Sequence, residues 1–379
     1  MKIIYIDPNN TTPQLNYPLI KSIQEVNKID IRYVSAVNLI TTNYYHNSYA
    51  IHPQYLFFRY TNRIDNKTIR RMLKLITYPV SNFLLLLKIL EEKPDIIHYN
   101  WLSIPPVEFF FIKIYKLFRI KIVLTQHDYL QHHRKNIRFF EESILKTVDK
   151  IICLSSYVKR QFNDCFADKI VVIEHGNCYQ KEIEYYSKKI RRKNNTSDFK
   201  ILFIGSIRPH KGIELLLASV NFLIKEKDMN DIQLHIVGFG SSAYANKINK
   251  IIENKNLDKK VIFENRFLTY DELFKYIINT DIGILPYKRA TQSGVPYIFI
   301  SFHKPLVVTN VGGLPEQVST DFSVIVKPEY TDLANGIIKI RNLIENEEIQ
   351  NSYFKRYLDK NKWQNTVAEY IKLYNEMTN

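Results

Sequence analysis

The residues between Gly205 and Gly212 have the types and the spacing to hold an anion. The apolar run 201–204 (ILFI) reads as a short buried strand, and 213–217 (IELLL) reads as the apolar face of a helix. Between them lie Gly205, Ser206, Arg208, His210, Lys211 and Gly212. A strand that stops at a glycine, turns through two cations and opens a helix gathers free backbone N–H groups and fixed positive charge in one place. That chemistry suits a phosphate. The planar fork of Arg208 and the point charge of Lys211 would add fixed positive charge to such a site.

A second stretch, 292–318 (QSGVPYIFISFHKPLVVTNVGGLPEQV), and the segment 234–240 (LHIVGFG) between the two follow in order. Together they resemble the donor-phosphate loop and the S-G … K-P-V-V-x-T-x-V-G-G-x-P-E signature of the family 4 glycosyltransferases. The resemblance is clear from about residue 200 to 317. It implies an α/β chain of the GT-B type: two Rossmann-like domains whose parallel sheets face a central cleft. It also implies sugar transfer, of hexosyl type, from a nucleotide sugar.

The elements that must position these residues can be read from the apolar pattern. A chain of 379 residues suits two domains. Residues 1–180 alternate strand-like and helix-like runs, and are expected to form an N-terminal Rossmann-like acceptor domain. Strands are expected at 2–6, 29–34, 94–99, 121–124, 150–154 and 169–173, with Ser155 as an N-cap before the last of them. The polar stretch 181–197 (KEIEYYSKKIRRKNNTS) reads as a linker. Residues 198–350 then form the donor domain, with strands near 199–205, 233–237, 261–263 and 281–286. The resemblance implies that the last helices, 351–379, cross back to the first domain.

Composition limits the partners. The hydrophobic and charged fractions, 45% and 24%, are those of an ordinary globular chain. The first residues (MKIIYIDP) read as a strand and not as a signal peptide, and no run of about 18 apolar residues predicts a membrane span. Cys153, Cys165 and Cys178 lack metal-ligand spacing and suit thiols in a reducing cytosol. The net charge is +15, and residues 1–170 carry 24 of the cations against 14 acids. Nucleic acid, an anionic membrane surface and an acidic substrate each fit such a balance, as does lysine enrichment with no partner. No nucleic-acid-binding module accompanies the charge, so nucleic acid is not expected. Two segments, 59–90 and 109–121, interleave apolar residues with cations; each suits an anionic bilayer face, or a helix packed on the sheet with solvated cations. The expected location is cytoplasmic and peripheral to the inner membrane face.

Single residues follow from the resemblance. His127, in Thr125-Gln126-His127-Asp128 at a strand end, matches the histidine that faces the donor sugar, and Arg208 and Lys211 are the other catalytic candidates. Donor contacts are assigned to Gly205, Ser206, Arg208, Lys211, Phe267, Ser293, Gly294, Val295 and Glu316, with the N–H groups of 293–295 facing the distal phosphate. The loop after the first strand lacks the family's glycines; Asn10, Thr11 and, further on, His132 are the acceptor-side candidates. Thr291 and Phe299 stand where most members carry the two glutamates of E-x7-E, as in a subset with Q-S-G. Because no D-x-D occurs, no metal and no cofactor are expected beyond the UDP- or GDP-linked sugar used as substrate. The acceptor is expected to be a saccharide or lipid-linked oligosaccharide, and the anomeric configuration to be retained.

Three rivals stay open. A sugar-nucleotide epimerase of similar fold would need carboxylates around the anomeric and 2-positions. A non-catalytic partner subunit is favoured by the missing glutamates. Gly238-Phe239-Gly240 with Ala243 and Glu264 also matches a dinucleotide fingerprint, on a later strand than that motif normally occupies.

Overall fold

The computed structural model describes residues 1–26, 29–36, 49–58, 61, 64, 66–128, 135–174, 176–177, 186 and 198–378. They divide into two compact units, Met1–Cys178 with Asn361–Asn379, and Tyr179–Lys360. His132, Cys178 and nearly all of 181–197 lie outside the described residues.

The first unit is built on a seven-stranded parallel sheet in the order β3-β2-β1-β4-β5-β6-β7. The strands are β1 Lys2–Asp7, β2 Asp30–Ala36, β3 Gln54–Phe57, β4 Ile96–Tyr99, β5 Lys121–Gln126, β6 Lys150–Cys153 and β7 Ile170–Val172. Their runs of Ile, Val and Leu are buried on both faces, as parallel strands covered by helices must be. The chain winds outward from β1 on one side and then from β4 on the other. The carboxyl ends of these two strands therefore flank the switch point where such sheets bind ligands. Ser155 caps the short helix Ser156–Lys159, its hydroxyl accepting from Val158 N at 3.2 Å.

The second unit repeats the scheme with six parallel strands in the order β10-β9-β8-β11-β12-β13. They are β8 Phe199–Ile204, β9 Ile232–Gly238, β10 Val261–Asn265, β11 Ile282–Leu285, β12 Leu306–Thr309 and β13 Ser323–Val326. Here the switch point falls between β8 and β11, so the anion loop at Gly205 leaves the sheet where a ligand is expected.

The chain returns to the first unit at Asn361, not at residue 351. Helix Asn351–Lys360 stays with the second unit, where Phe354 stacks on Phe322 at 4.3 Å and the Tyr357 hydroxyl donates to the Gln317 carbonyl at 2.8 Å. Helix Trp363–Thr378 belongs to the first, where Tyr374 Oη lies 2.6 Å from His98 Nδ1 in the core.

Candidate functional site

In the second unit the turn after β8 is fixed by glycine and by neighbouring backbone. Gly205 has φ 149°, a conformation that a side chain disfavours. Gly205 N donates to Val237 O at 3.2 Å and Ile207 N to Phe239 O at 3.0 Å, so the loops after β8 and β9 run side by side. That contact accounts for the G-x-G: a Cβ on Gly238 would stand 1.7 Å from Gly205 O, and one on Gly240 would stand 2.1 Å from Ile207 O. These glycines let two loops meet, and a dinucleotide is not needed to explain them. Gly212, at φ 72°, ends the turn where a Cβ would stand 1.8 Å from Pro286 O. His210 O accepts from Lys288 N at 2.8 Å. The turns after β8 and β11 are thereby tied together.

This tie gathers Arg208, His210, Lys211, Lys288 and Arg289 at one end of the sheet. His210 registers the crowding: burial first, then Lys211, Arg208 and Arg289, hold its pKa below the ordinary value, so it is neutral at pH 7. Arg208 is exposed. Lys211 Nζ lies 3.7 Å over the ring of buried Tyr287, a cation–π seat that aims the ammonium. Burial pushes the Tyr287 phenol up to about 12, eased by Ser293, whose Oγ is 3.3 Å from it. Ser293 in turn is clamped by Gln317: Ser293 N donates to Gln317 Oε1 and Gln317 Nε2 to Ser293 O, both at 2.8 Å.

The expectation that all three amides of 293–295 face a phosphate needs correction. Ser293 N is taken by Gln317, and Val295 N donates to Ser293 Oγ at 3.3 Å, because the segment must satisfy its own buried backbone. Gly294 is exposed, with open space where a Cβ would stand. Glu316 is half-buried in the turn Pro315–Gln317, beside the glutamine that makes the clamp. Phe267 is exposed and stacks on exposed Phe239 at 4.3 Å, presenting an aromatic pair at the ends of β9 and β10. Arg266 turns away to Glu264 and Glu272, at 2.6 and 2.7 Å.

In the first unit a buried polar chain runs along the carboxyl ends of β1, β4 and β5. Asp7 accepts from Asn16 Nδ2 and Thr11 N, both at 2.8 Å; burial still raises its pKa. Asn16 Oδ1 accepts from Asn100 Nδ2 at 2.8 Å, and Asn100 Oδ1 lies 3.2 Å from His127 Nε2. Trp101 stacks flat on the imidazole of His127, with centroids 3.9 Å apart, and its indole N–H donates to Thr12 Oγ1 at 3.2 Å. His127 forms one wall of a pocket shared with Trp101, Ser103, Gln126, Asp128 and Glu141. Asn10 does not face outward as an acceptor contact: it is fully buried, and its Oδ1 accepts from the Tyr33 hydroxyl at 2.8 Å. With φ 51° it takes the left-handed turn that a glycine would otherwise make. Thr11 is exposed.

The sequence profile described as glycosyl transferases group 1 matches residues 198–343, and that of glycosyltransferase family 4 matches residues 37–176. The chain belongs to the group 1, family 4 glycosyltransferases. An uncharacterized glycosyltransferase of Methanocaldococcus jannaschii is 26% identical over 64% of this chain and 63% of its own length. The chain spans less than two thirds of the length of the curated relatives it matches. Among solved structures, a glycosyltransferase from Rickettsia africae superposes with TM-score 0.72 at 16% identity, covering 99% of this chain and 98% of its own. Anabaena HepE, solved in complex with UDP-glucose, superposes with TM-score 0.70 at 16% identity over 98% of this chain and 99% of its own. The fold is GT-B.

For this family 4 chain, reading the residues alone missed most of what holds the named side chains in place. Asp7, Asn16, Asn100 and Trp101 around His127, and Tyr287 and Gln317 around Lys211 and Ser293, went unnoticed. Asn100 and Trp101 did carry a signal, since they directly follow a strand in a parallel sheet. Gln317 carried none. Among the described residues no cluster of three His, Cys, Asp or Glu is placed to hold a metal.

Proposed function

We propose that the chain transfers a sugar, of hexosyl type, from a UDP- or GDP-linked donor to a saccharide acceptor that is lipid-linked, in the synthesis of a surface polysaccharide or glycan. The observation that carries this reading is the convergence of Arg208 and Lys211 at the switch point of the second sheet, with Lys211 seated on Tyr287. Cations held before the reaction begins stabilise the diphosphate more in the transition state than in the ground state. The anomeric C1–O bond to the diphosphate breaks, a C1–O bond to the acceptor hydroxyl forms, and the hydroxyl proton passes to a leaving phosphate oxygen. With attack on the same face as departure, configuration is retained. His127, held by Asn100 and Trp101, contacts the donor sugar. The stacked pair Phe239 and Phe267 offers an apolar platform at the carboxyl ends of β9 and β10, on the same side of the sheet as the cation cluster after β8 and β11. HepE, a protein of the same fold, was solved with UDP-glucose.

A panel of UDP- and GDP-sugars incubated with the protein and a lipid-extracted acceptor tests the reading: one donor should lose its sugar to the lipid fraction with release of the nucleoside diphosphate. A second reading, the non-catalytic partner subunit, draws on Phe299. This residue is fully buried with its ring against Gly283, so no acid reaches out from that place. Nucleotide binding without turnover of any donor would favour it.

A further inference from the structure

We infer that helix Lys67–Glu92 docks this protein onto an anionic lipid surface by its outward apolar face. The inference deepens the sugar-transfer reading by giving a place to a lipid-linked acceptor, but its physical grounds are independent of the donor site.

The helix has 26 residues, a length of about 39 Å. It is well terminated: Asn66 Oδ1 accepts from Thr68 N and Ile69 N at 3.0 and 3.2 Å, and Lys93 closes it in a left-handed conformation. One face is committed to the core. Tyr78, Leu85 and Ile89 are fully buried in the cluster that includes Ile4, Ile6 and Tyr99. About half a turn away lies a second stripe, Met72, Ile76, Val80, Phe83 and Leu87, spaced at four, four, three and four residues. Every member is exposed, Ile76 to 66%. The segment Thr68–Glu92 is long and apolar enough, by length and composition, to cross a bilayer, against the sequence expectation; yet only 28% of its apolar window is buried. Crossing would strip Tyr78, Leu85 and Ile89 out of the core, so the helix is built to lie along an apolar phase.

Apolar side chains are exposed as well on the next helix, Pro105–Leu117, which packs against the first, and in the turn after it. Phe110, Leu117 and Phe118 are exposed there, Leu117 to 81%. Contiguous apolar surface on this scale marks an interaction site.

Charge selects the partner. Between Lys67 and Lys121 there are ten Lys and Arg against four Asp and Glu, and one of those four, Glu108, is fully buried. No charged residue interrupts the outward face from Leu75 to Leu87. Arg71, Lys113 and Arg119 are exposed on these two helices and the turn after them. An apolar stripe on helices that also expose cations fits acyl chains below acidic headgroups. A second copy of the same face would set cation against cation.

The test uses the full chain with vesicles of phosphatidylcholine alone or mixed with phosphatidylglycerol, read by co-sedimentation. Wild-type protein should pellet with the mixed vesicles and be weakened by salt. Ile76→Glu and Phe83→Glu should each lower partitioning about tenfold, and Arg71→Ala about fivefold. Absence of binding to mixed vesicles at low salt, or binding indifferent to both glutamate variants, would overturn the inference. So would a wild-type dimer in light scattering that Ile76→Glu makes monomeric, since the face would then meet a second copy. Melting curves of the variants check their fold. Nucleotide titration of the same preparations separates the two readings, because vesicle binding can hold where donor binding fails, and the reverse.

Discussion

Asn100 presents its Oδ1 to His127 Nε2 at 3.2 Å. The orientation of that amide is not free, because Nδ2 faces Asn16 Oδ1 at 2.8 Å and Thr12 Oγ1 at 3.0 Å, both acceptors. The oxygen must then point at the imidazole, and Nε2 must carry a hydrogen. A chain of buried amides reaching back to Asp7 thus sets the tautomer of the histidine proposed to meet the donor sugar.

Asn100→Ala should lower the rate of nucleoside diphosphate release from the donor about tenfold while leaving nucleotide affinity unchanged, since Asn100 belongs to the first unit and the diphosphate cations to the second. Asn100→Asp keeps an acceptor and adds a negative charge beside the ring, which favours the imidazolium. Its pH–rate profile should move to higher pH. An unmoved profile would show that Asn100 only packs.

Gly212→Ala tests the tie between the turns after β8 and β11. The new methyl would meet Pro286 O at a backbone that already has φ 72°, so the second unit should lose at least about 3 kcal/mol and its nucleotide affinity should fall. Gly294→Ala is the control: nothing stands within 4 Å and its φ is −74°. Differential scanning calorimetry of both variants should show a lowered transition for the first substitution only.

His98 gives the first unit a pH dependence of definite sign. It is fully buried between Tyr374 Oη at 2.6 Å and Thr125 Oγ1 at 2.7 Å, and burial pushes its pKa from 6.5 down to about 3. The unfolded chain therefore binds a proton below pH 6.5 that the folded chain refuses. Stability is lost as the pH falls from 6.5 towards 3, by at most about 1.4 kcal/mol per pH unit from this group. Asp7 and Glu108, raised by burial, act in the opposite sense. Comparing the slope of denaturant stability against pH in wild type and His98→Asn isolates the histidine. The slopes should differ below pH 6.5 and coincide above it.

Most of the strands were legible because buried parallel strands write themselves as apolar runs. Gln54–Phe57 was not: four residues with a glutamine and a tyrosine, next to a bulge in its pairing with β2, carry no pattern to read. The glycines at 238 and 240 were visible, but their reason lay in the Gly205 and Ile207 carbonyls, which only the sheet order brings beside them. The same holds for Asn10, whose left-handed turn replaces a glycine. Cations and histidines at strand ends announce themselves by type. Their positioning partners, Gln317 above all, are ordinary residues made specific by distance in three dimensions.

The measurement closest to the central claim is a calorimetric titration of the protein with UDP, GDP, ADP and TDP in the absence of metal, repeated on Arg208→Ala and Lys211→Ala. The account predicts that UDP or GDP binds, and that each substitution weakens it by about 1.5–3 kcal/mol, the range of charge-assisted hydrogen bonds. Arg208→Ala should leave the melting temperature unchanged, because the side chain is exposed. Binding that survives both substitutions, or no binding of any nucleotide at millimolar concentration, would contradict it.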